Sequence, residues 1–255
     1  MRGQAGSNRA VKIALGCLVV ISLAFLYAPP ASAKDRVAAA RQSRSRDVSE
    51  IFTAAGVPYP PPELYLRAFK HERQLEVWAG EAGKPLKKVK TYPFCAASGE
   101  LGPKRQEGDL QVPEGFYTID LFNPTSAFHL SMRVSYPNDS DRVLGRRPLG
   151  GAIMVHGNCV SIGCIAIQDG PIEELYLMTL DAKRRMGRNV PIHIFPRQLN
   201  AEGLAELEKT AGPNAALLTF WKGLEPGYSL FEETKRPPRV SVDTKTGAYR
   251  VKAGK

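Results

Sequence analysis

Val155-His156-Gly157-Asn158-Cys159-Val160-Ser161-Ile162-Gly163-Cys164 places a histidine eight positions before a cysteine, with Ser161-Ile162-Gly163 leading into that cysteine. A thiol is a modest nucleophile until it is deprotonated, and a nearby imidazole does that at neutral pH. Gly163 lets the backbone turn tightly, so amide N–H groups can face an oxyanion beside the sulfur. Apolar Ala152-Ile153-Met154-Val155 reads as a buried strand delivering His156 to its end, and Cys164-Ile165-Ala166-Ile167 as a strand or turn leaving the site. Cys164 is the candidate nucleophile and His156 the candidate general base of a cysteine acyltransferase or hydrolase. Ser161 and Gly157 are expected to shape the site, and Asn158 to lie within reach of substrate.

Two blander readings compete. A buried cysteine is commonly a small hydrophobe. His156-x2-Cys159-x4-Cys164 also suggests a metal, but the spacing misses the usual zinc patterns and no second His/Cys cluster lies nearby to complete four ligands. No metal, nucleotide or flavin signature is visible, so no cofactor is expected.

The first 33 residues read as an export signal. Arg2, Arg9 and Lys12 form a basic start, Ile13 to Tyr27 is an uncharged, mostly apolar run of fifteen residues, and Ala31-Ser32-Ala33 is a small-x-small cleavage site. The run falls short of the ~20 residues of a spanning helix. Cys17 begins this run instead of ending it, which argues against lipidation. The expected location is the periplasm or cell envelope, with membrane contact only through an uncleaved signal. Residues 34–255 keep 32 basic against 25 acidic side chains, a net charge of +7. Outside the cytoplasm that charge suits an anionic wall polymer or membrane surface, and it equally suits a generic basic surface. No basic-aromatic pattern argues for nucleic acid. Three cysteines remain: Cys95, Cys159 and Cys164. An odd count in an oxidising compartment leaves one thiol free. If that thiol is Cys164, then Cys95 and Cys159 form a disulfide or stay as separate buried thiols.

Residues 34–63 read as a leader, a short helix and a proline-rich connector: polar 34–46, a helix Asp47–Ala55 capped by Asp47, then Pro58-Tyr59-Pro60-Pro61-Pro62. Strands are predicted over 64–70, 74–79, 87–94, 116–120 and 128–135, with His71-Glu72-Arg73 as a hairpin turn. Within 128–135, alternation puts His129 and Ser131 on one face, where they could line a substrate groove. Tyr136 stands at the strand end as a further pocket candidate. Residues 137–150 read as a long polar loop. Asp169 is expected to cap a helix that packs Ile172, Leu175, Tyr176 and Thr179 and stops at Gly187. Val190–Phe195 is a closing strand, which makes His193 an ordinary strand residue. Residues 200–222 read as two short helices around Gly212-Pro213. A terminal hairpin over 240–251 turns at Lys245-Thr246-Gly247, and Trp221, Tyr228 and Phe231 pack this tail, residues 197–255, onto the main domain.

Residues 64–196 resemble the L,D-transpeptidases with a YkuD-type catalytic domain, and most closely their YafK-like branch. The resemblance rests on ordered matches: the hairpin of 64–79, Tyr92-Pro93-Phe94-Cys95-Ala96-Ala97-Ser98-Gly99, the run Gly108-Asp109 to Pro113-Glu114-Gly115-Phe116, His156-Gly157, and Ser161-Ile162-Gly163-Cys164. It implies an α+β, β-rich fold: a YkuD-type β-sandwich with flanking helices. It implies a peptidoglycan stem-peptide substrate, an acyl-enzyme on Cys164, and transfer to an amine acceptor, among them a wall-attached protein. It also implies that the N–H groups of Gly163 and Cys164 are the oxyanion donors, and that a backbone carbonyl can orient the imidazole. Departures are the short His-to-Cys loop, Ile162 where the wider family has histidine, and Ala166 where it has arginine. They fit the YafK-like branch, some of whose members cut wall-peptide or protein–peptidoglycan bonds. Hydrolysis by the same two residues, and a non-catalytic wall-binding module, are the competing readings.

Overall fold

The computed structural model describes residues 33–254. The expected export signal lies, apart from Ala33, outside the described residues. The described residues form one compact unit.

Helix α1 spans Ala33–Ala54, so the polar leader expected over 34–46 is helical, continuous with the short helix expected after it. Ala40, Val48 and Phe52 form its buried stripe. Its polar side chains are held by the rest of the domain: Arg36 donates to the carbonyls of Ser126 and His129 at 2.6 and 2.7 Å, and Arg41 makes a two-pronged pair with Asp181. Tertiary anchoring of this kind extends helices beyond what propensity alone supports.

The strands are β1 (Glu63–Phe69), β2 (Gln74–Gly80), β3 (Lys87–Pro93), β4 (Gly115–Asn123), β5 (Ser131–Val134), β6 (Met154–His156), β7 (Ile165–Ala166) and β8 (Val190–Phe195). They form one mixed sheet in the order β3-β2-β1-β8-β4-β5-β6-β7. An isolated bridge, Ala96 to Ala166, joins the chain leaving β3 to β7 at the far edge, so the sheet curls back on itself. The α+β, β-rich fold class expected above is the one observed, with the main strands in one continuous sheet.

Alternation along β1 gives the sheet two packed faces. Leu64, Leu66 and Ala68 enter a core shared with α1 and with α3 (Asp169–Met186). Tyr65 and Phe69 enter the opposite face, under α4 (Ala201–Ala211), α5 (Ala215–Thr234) and the hairpin of β9 (Arg239–Val242) and β10 (Tyr249–Lys252). Helix α5 runs well past residue 222, where the sequence suggested an end. Its buried Phe220, Trp221, Leu224, Tyr228 and Phe231 fall on one side, and the helix carries Pro226 within it. Buried charges on this face are paired, as burial requires. Arg67 meets Glu76 at 2.7 Å and Glu232 of α5 at 2.5 Å, and Glu114 accepts from Trp221 Nε1 at 2.8 Å and faces Lys70 at 3.0 Å.

Two further expectations change. The stretch 137–150 contains a helix, α2 (Asp139–Leu144), closed by a capping box between Asn138 and Asp141. The strand expected over 128–135 begins only at Ser131, because His129 takes a left-handed backbone (φ 69°) that leaves the strand conformation. Among the described residues, no helix is long and apolar enough to cross a membrane.

Candidate active site

Strand β6 ends on His156, and β7 begins immediately after Cys164. The two strands pair in parallel, Val155 with Ile165 and His156 with Ala166. Val155 and Ile165 point into the core. Their neighbours Met154 and His156 on β6, and Cys164 before β7, therefore share the opposite face. Cys164 stands across from Met154, one diagonal step from His156, a separation that long side chains span. A ten-residue stretch thus brings both expected catalytic residues to one face of one strand pair.

His156 is buried, with 1% of its surface exposed. Its Nδ1 lies 2.5 Å from the carbonyl oxygen of Gly157. A carbonyl only accepts, so Nδ1 carries the proton and Nε2 is the basic nitrogen. Nε2 makes no hydrogen bond among the described residues. Burial lowers the His156 pKa below its ordinary 6.5, with the Gly157 carbonyl opposing, so the ring is neutral at pH 7.

Cys164 is the free cysteine of the described chain. Its sulfur receives the Met154 N–H at 3.4 Å and approaches the Ala152 carbonyl at 3.7 Å. Burial raises the thiol pKa above its ordinary value, against the Met154 amide and the charge of Lys104. The resting pair is therefore thiol and neutral imidazole, not thiolate and imidazolium, and no hydrogen bond joins the two.

The loop between them is fixed from within. Ser161 Oγ accepts from the N–H groups of Gly163 at 3.2 Å and Cys164 at 3.0 Å, and donates to the Cys164 carbonyl at 2.7 Å. This bears on the expected oxyanion assignment. Both amides are occupied by the serine hydroxyl, and they can face an oxyanion only when Ser161 releases them. Ser161 itself is the hub of the turn. Gly163 adopts φ 126°, which a side chain rarely tolerates. Gly157 is packed so closely that an added Cβ would stand 2.6 Å from Asp169 Oδ1 and 2.9 Å from the Phe128 carbonyl. Cys95 and Cys159 have Cα atoms 5.4 Å apart, within disulfide range, and the structure pairs their sulfurs.

The three residues expected to touch substrate lie elsewhere or are committed. Asn158 is exposed on the loop, but its side chain accepts from the Cys159 N–H. His129 does not line the sheet face with Ser131. It sits before β5 with Nε2 2.9 Å from Glu173 Oε1. Ser131 alone pairs with His156. Tyr136 is buried, its hydroxyl donating to the Leu149 carbonyl at 3.1 Å, so it belongs to the core and not to a loop mouth.

Residues 65–194, half of the chain, match the model of the L,D-transpeptidase (YkuD) catalytic domain. The chain belongs to this family. It is 34% identical over 181 residues to the Escherichia coli (strain K12) protein named "Putative L,D-transpeptidase YafK", covering 70% of each chain. The YafK protein of Escherichia coli O157:H7 matches to the same extent. Among solved structures, it is similar to the helical cell shape determining protein Pgp2 of Campylobacter jejuni, with 20% identity, TM-score 0.44, and coverage of 79% of this chain and 80% of that one. Bd1075 of Bdellovibrio bacteriovorus is similar at 18% identity and TM-score 0.40, over 73% and 79% of the two chains.

Within this L,D-transpeptidase-family domain, three groups escaped the reading of the sequence. The Phe128 ring lies 4.7 Å from the His156 ring at 31° and covers it. Asp169 does not cap α3. Its Oδ1 instead accepts the Asn158 N–H at 2.7 Å, so the carboxylate that opens the helix holds the active-site loop. Lys104 is buried and paired with Asp109 at 2.7 Å. Asp109 in turn receives the N–H groups of Arg105, Gln106 and Gln111, and the Gln111 carbonyl abuts Gly163. The Gly108-Asp109 pair was the available signal for the last of these. Backbone strain also gathers here: Leu110, His129, Ala152, Asn158 and Gln168 all have positive φ. No cluster of three or more metal-ligating side chains occurs among the described residues.

Proposed function

We propose that the chain is an exported cysteine acyltransferase acting on peptidoglycan stem peptides. The observation that carries the reading is the His156 ring, tied through Nδ1 to the Gly157 carbonyl, on the same strand-pair face as Cys164. Family membership supports the peptidoglycan-related role.

The thiol proton passes to His156 Nε2 as sulfur attacks a peptide carbonyl carbon. The Met154 N–H meets charge developing on the sulfur. The tetrahedral intermediate collapses, its C–N bond breaks, and His156 returns the proton to the departing amine. A thioester on Cys164 remains. An incoming amine, deprotonated by His156, attacks the thioester to give a new amide and the free thiol. Water in place of the amine gives a carboxylate, so hydrolysis of wall-peptide or protein–peptidoglycan bonds is the alternative outcome of one machinery. The acceptor amine belongs to a second stem peptide or to a wall-attached protein. The N-terminal segment, with its basic start and apolar run, supports a place in the periplasm or cell envelope.

The test is incubation of the purified protein with disaccharide tetrapeptides, with and without an added amine acceptor, and mass analysis of the products. A cross-linked or amine-exchanged product that is lost in Cys164→Ser and kept in Cys159→Ser supports transfer. A shortened peptide alone assigns hydrolysis, and turnover that survives Cys164→Ser defeats both.

A further inference from the structure

One cavity of the domain contains neither Cys164 nor His156. It is a space of about 780 Å³ between the start of α5, the turn of the terminal hairpin and segment 102–105. That volume lies in the range of small-molecule sites. Its walls are largely apolar, built from side chains such as Leu144, Leu217 and Phe220, and from Gly223, where an added Cβ would meet nothing within 4 Å. Arg105 is the only charged residue among those lining it.

Arg105 has donors to spare beyond a single ion pair with the buried Asp141. Its guanidinium carbon lies over the Phe220 ring, 4.5 Å from the ring centre. Its side chain makes no hydrogen bond among the described residues. Its ion pair with Asp141 is loose, with Oδ1 3.7 Å from Nη1, and both of those atoms are buried without a hydrogen-bond partner. Asp141 spends its other oxygen on Tyr117 and the Asn138 amide. A guanidinium presents a planar fork of donors that suits a carboxylate, and a low-dielectric apolar wall strengthens such a pair. Leu144, Leu217, Phe220 and the alanines of the wall offer an apolar body van der Waals contact.

We propose that this cavity is a second binding site, which takes an amphipathic carboxylate: an apolar chain with one anionic head set against Arg105. A fatty acid and an apolar peptide with a free C-terminus share this chemistry. The site is separate from the acyl-transfer centre and does not depend on the reaction assigned there.

Isothermal titration of the purified full-length protein tests it with three probes: decanoate below its micelle concentration, N-acetyl-leucyl-leucine, and decylamine. Saturable one-to-one binding of either carboxylate, with none of decylamine, is expected. Decanoate alone identifies an acyl-chain ligand, the dipeptide alone a peptide ligand, and both together the shared head group. Arg105→Gln should weaken binding tenfold or more. Gly223→Leu fills the cavity from a helical position free of steric conflict and should remove binding with an unchanged melting temperature. Should Gly223→Leu lower the melting temperature, Arg105→Gln decides. No saturable binding of either carboxylate, equal binding of decylamine, or full binding in a folded Gly223→Leu or Arg105→Gln protein overturns the proposal.

Discussion

The two ends of this domain treat their polar groups in opposite ways. Under α5, buried charges and donors find partners across long sequence separations: Arg67 with Glu232, Trp221 with Glu114, Lys70 with Glu114. Around Cys164 the bonds are short-range and self-contained, Ser161 holding the amides of Gly163 and Cys164, Asn158 holding Cys159, and Gly157 holding the His156 ring. Strained φ angles gather at the second place. The first region secures the fold. The second stores local geometry that tertiary burial elsewhere has to maintain. Substitutions in the two regions should therefore fail differently.

The sharpest contrast is between Cys164 and Trp221. Cys164→Ser should lose turnover by roughly a thousandfold or more with an unchanged melting temperature, because it removes the nucleophile and almost no volume. Trp221→Ala should lose about 3–5 kcal/mol of stability, as removal of a large buried ring does, while the remaining folded fraction keeps its specific activity. Denaturant titration beside a turnover assay separates the two. Loss of stability in Cys164→Ser would break the division of labour.

His156→Ala should lower turnover on the order of a hundredfold, as loss of a general base does. The pH profile sharpens this. His156 must be neutral to accept the proton, and its pKa is depressed below 6.5 by burial. Activity should therefore be full at neutral pH and fall only as pH drops through a value below 6.5. An acid limb centred above 6.5 would mean that the ring is not buried as described. The thiol, raised by burial, should alkylate with an apparent pKa above that of an ordinary cysteine. Asp169→Asn keeps the size of the side chain but weakens its bond to the Asn158 amide. A loss of roughly tenfold in turnover is expected, since a charge-assisted hydrogen bond contributes about 1.5–3 kcal/mol, with little change in melting temperature.

These contrasts also mark what the sequence could reveal. Local signals were legible: the strand into His156, the glycine turn before Cys164, the stripe of Ile172, Leu175, Tyr176 and Thr179, and the stop at Gly187 all depend on neighbours in the chain. What escaped depends on partners far away. The polar start of α1 is helical because Asp181 and Glu173 of α3 receive its arginines. Asp169 looks like a helix cap until the Asn158 amide is placed beside it, and His129 fits a strand until Glu173 and Arg36 draw it out. Tyr136 looked like a loop-mouth residue because its partner, the Leu149 carbonyl, lies thirteen residues on. The bonds of the expected oxyanion donors escaped for another reason. Ser161 was recognised as shaping the turn, but not as the acceptor of the two amides the reading had assigned to substrate.

The account rests on one bond, a thioester on Cys164. Mixing the protein with a donor tetrapeptide in the absence of acceptor, quenching in acid and measuring intact mass tests it directly. The account predicts an adduct equal to the donor minus its leaving amine, mapped by digestion to Cys164 and absent from Cys164→Ser. It also predicts that the adduct forms more slowly in His156→Ala. An adduct on Cys95 or Cys159, or turnover without any adduct in Cys164→Ser, would contradict it.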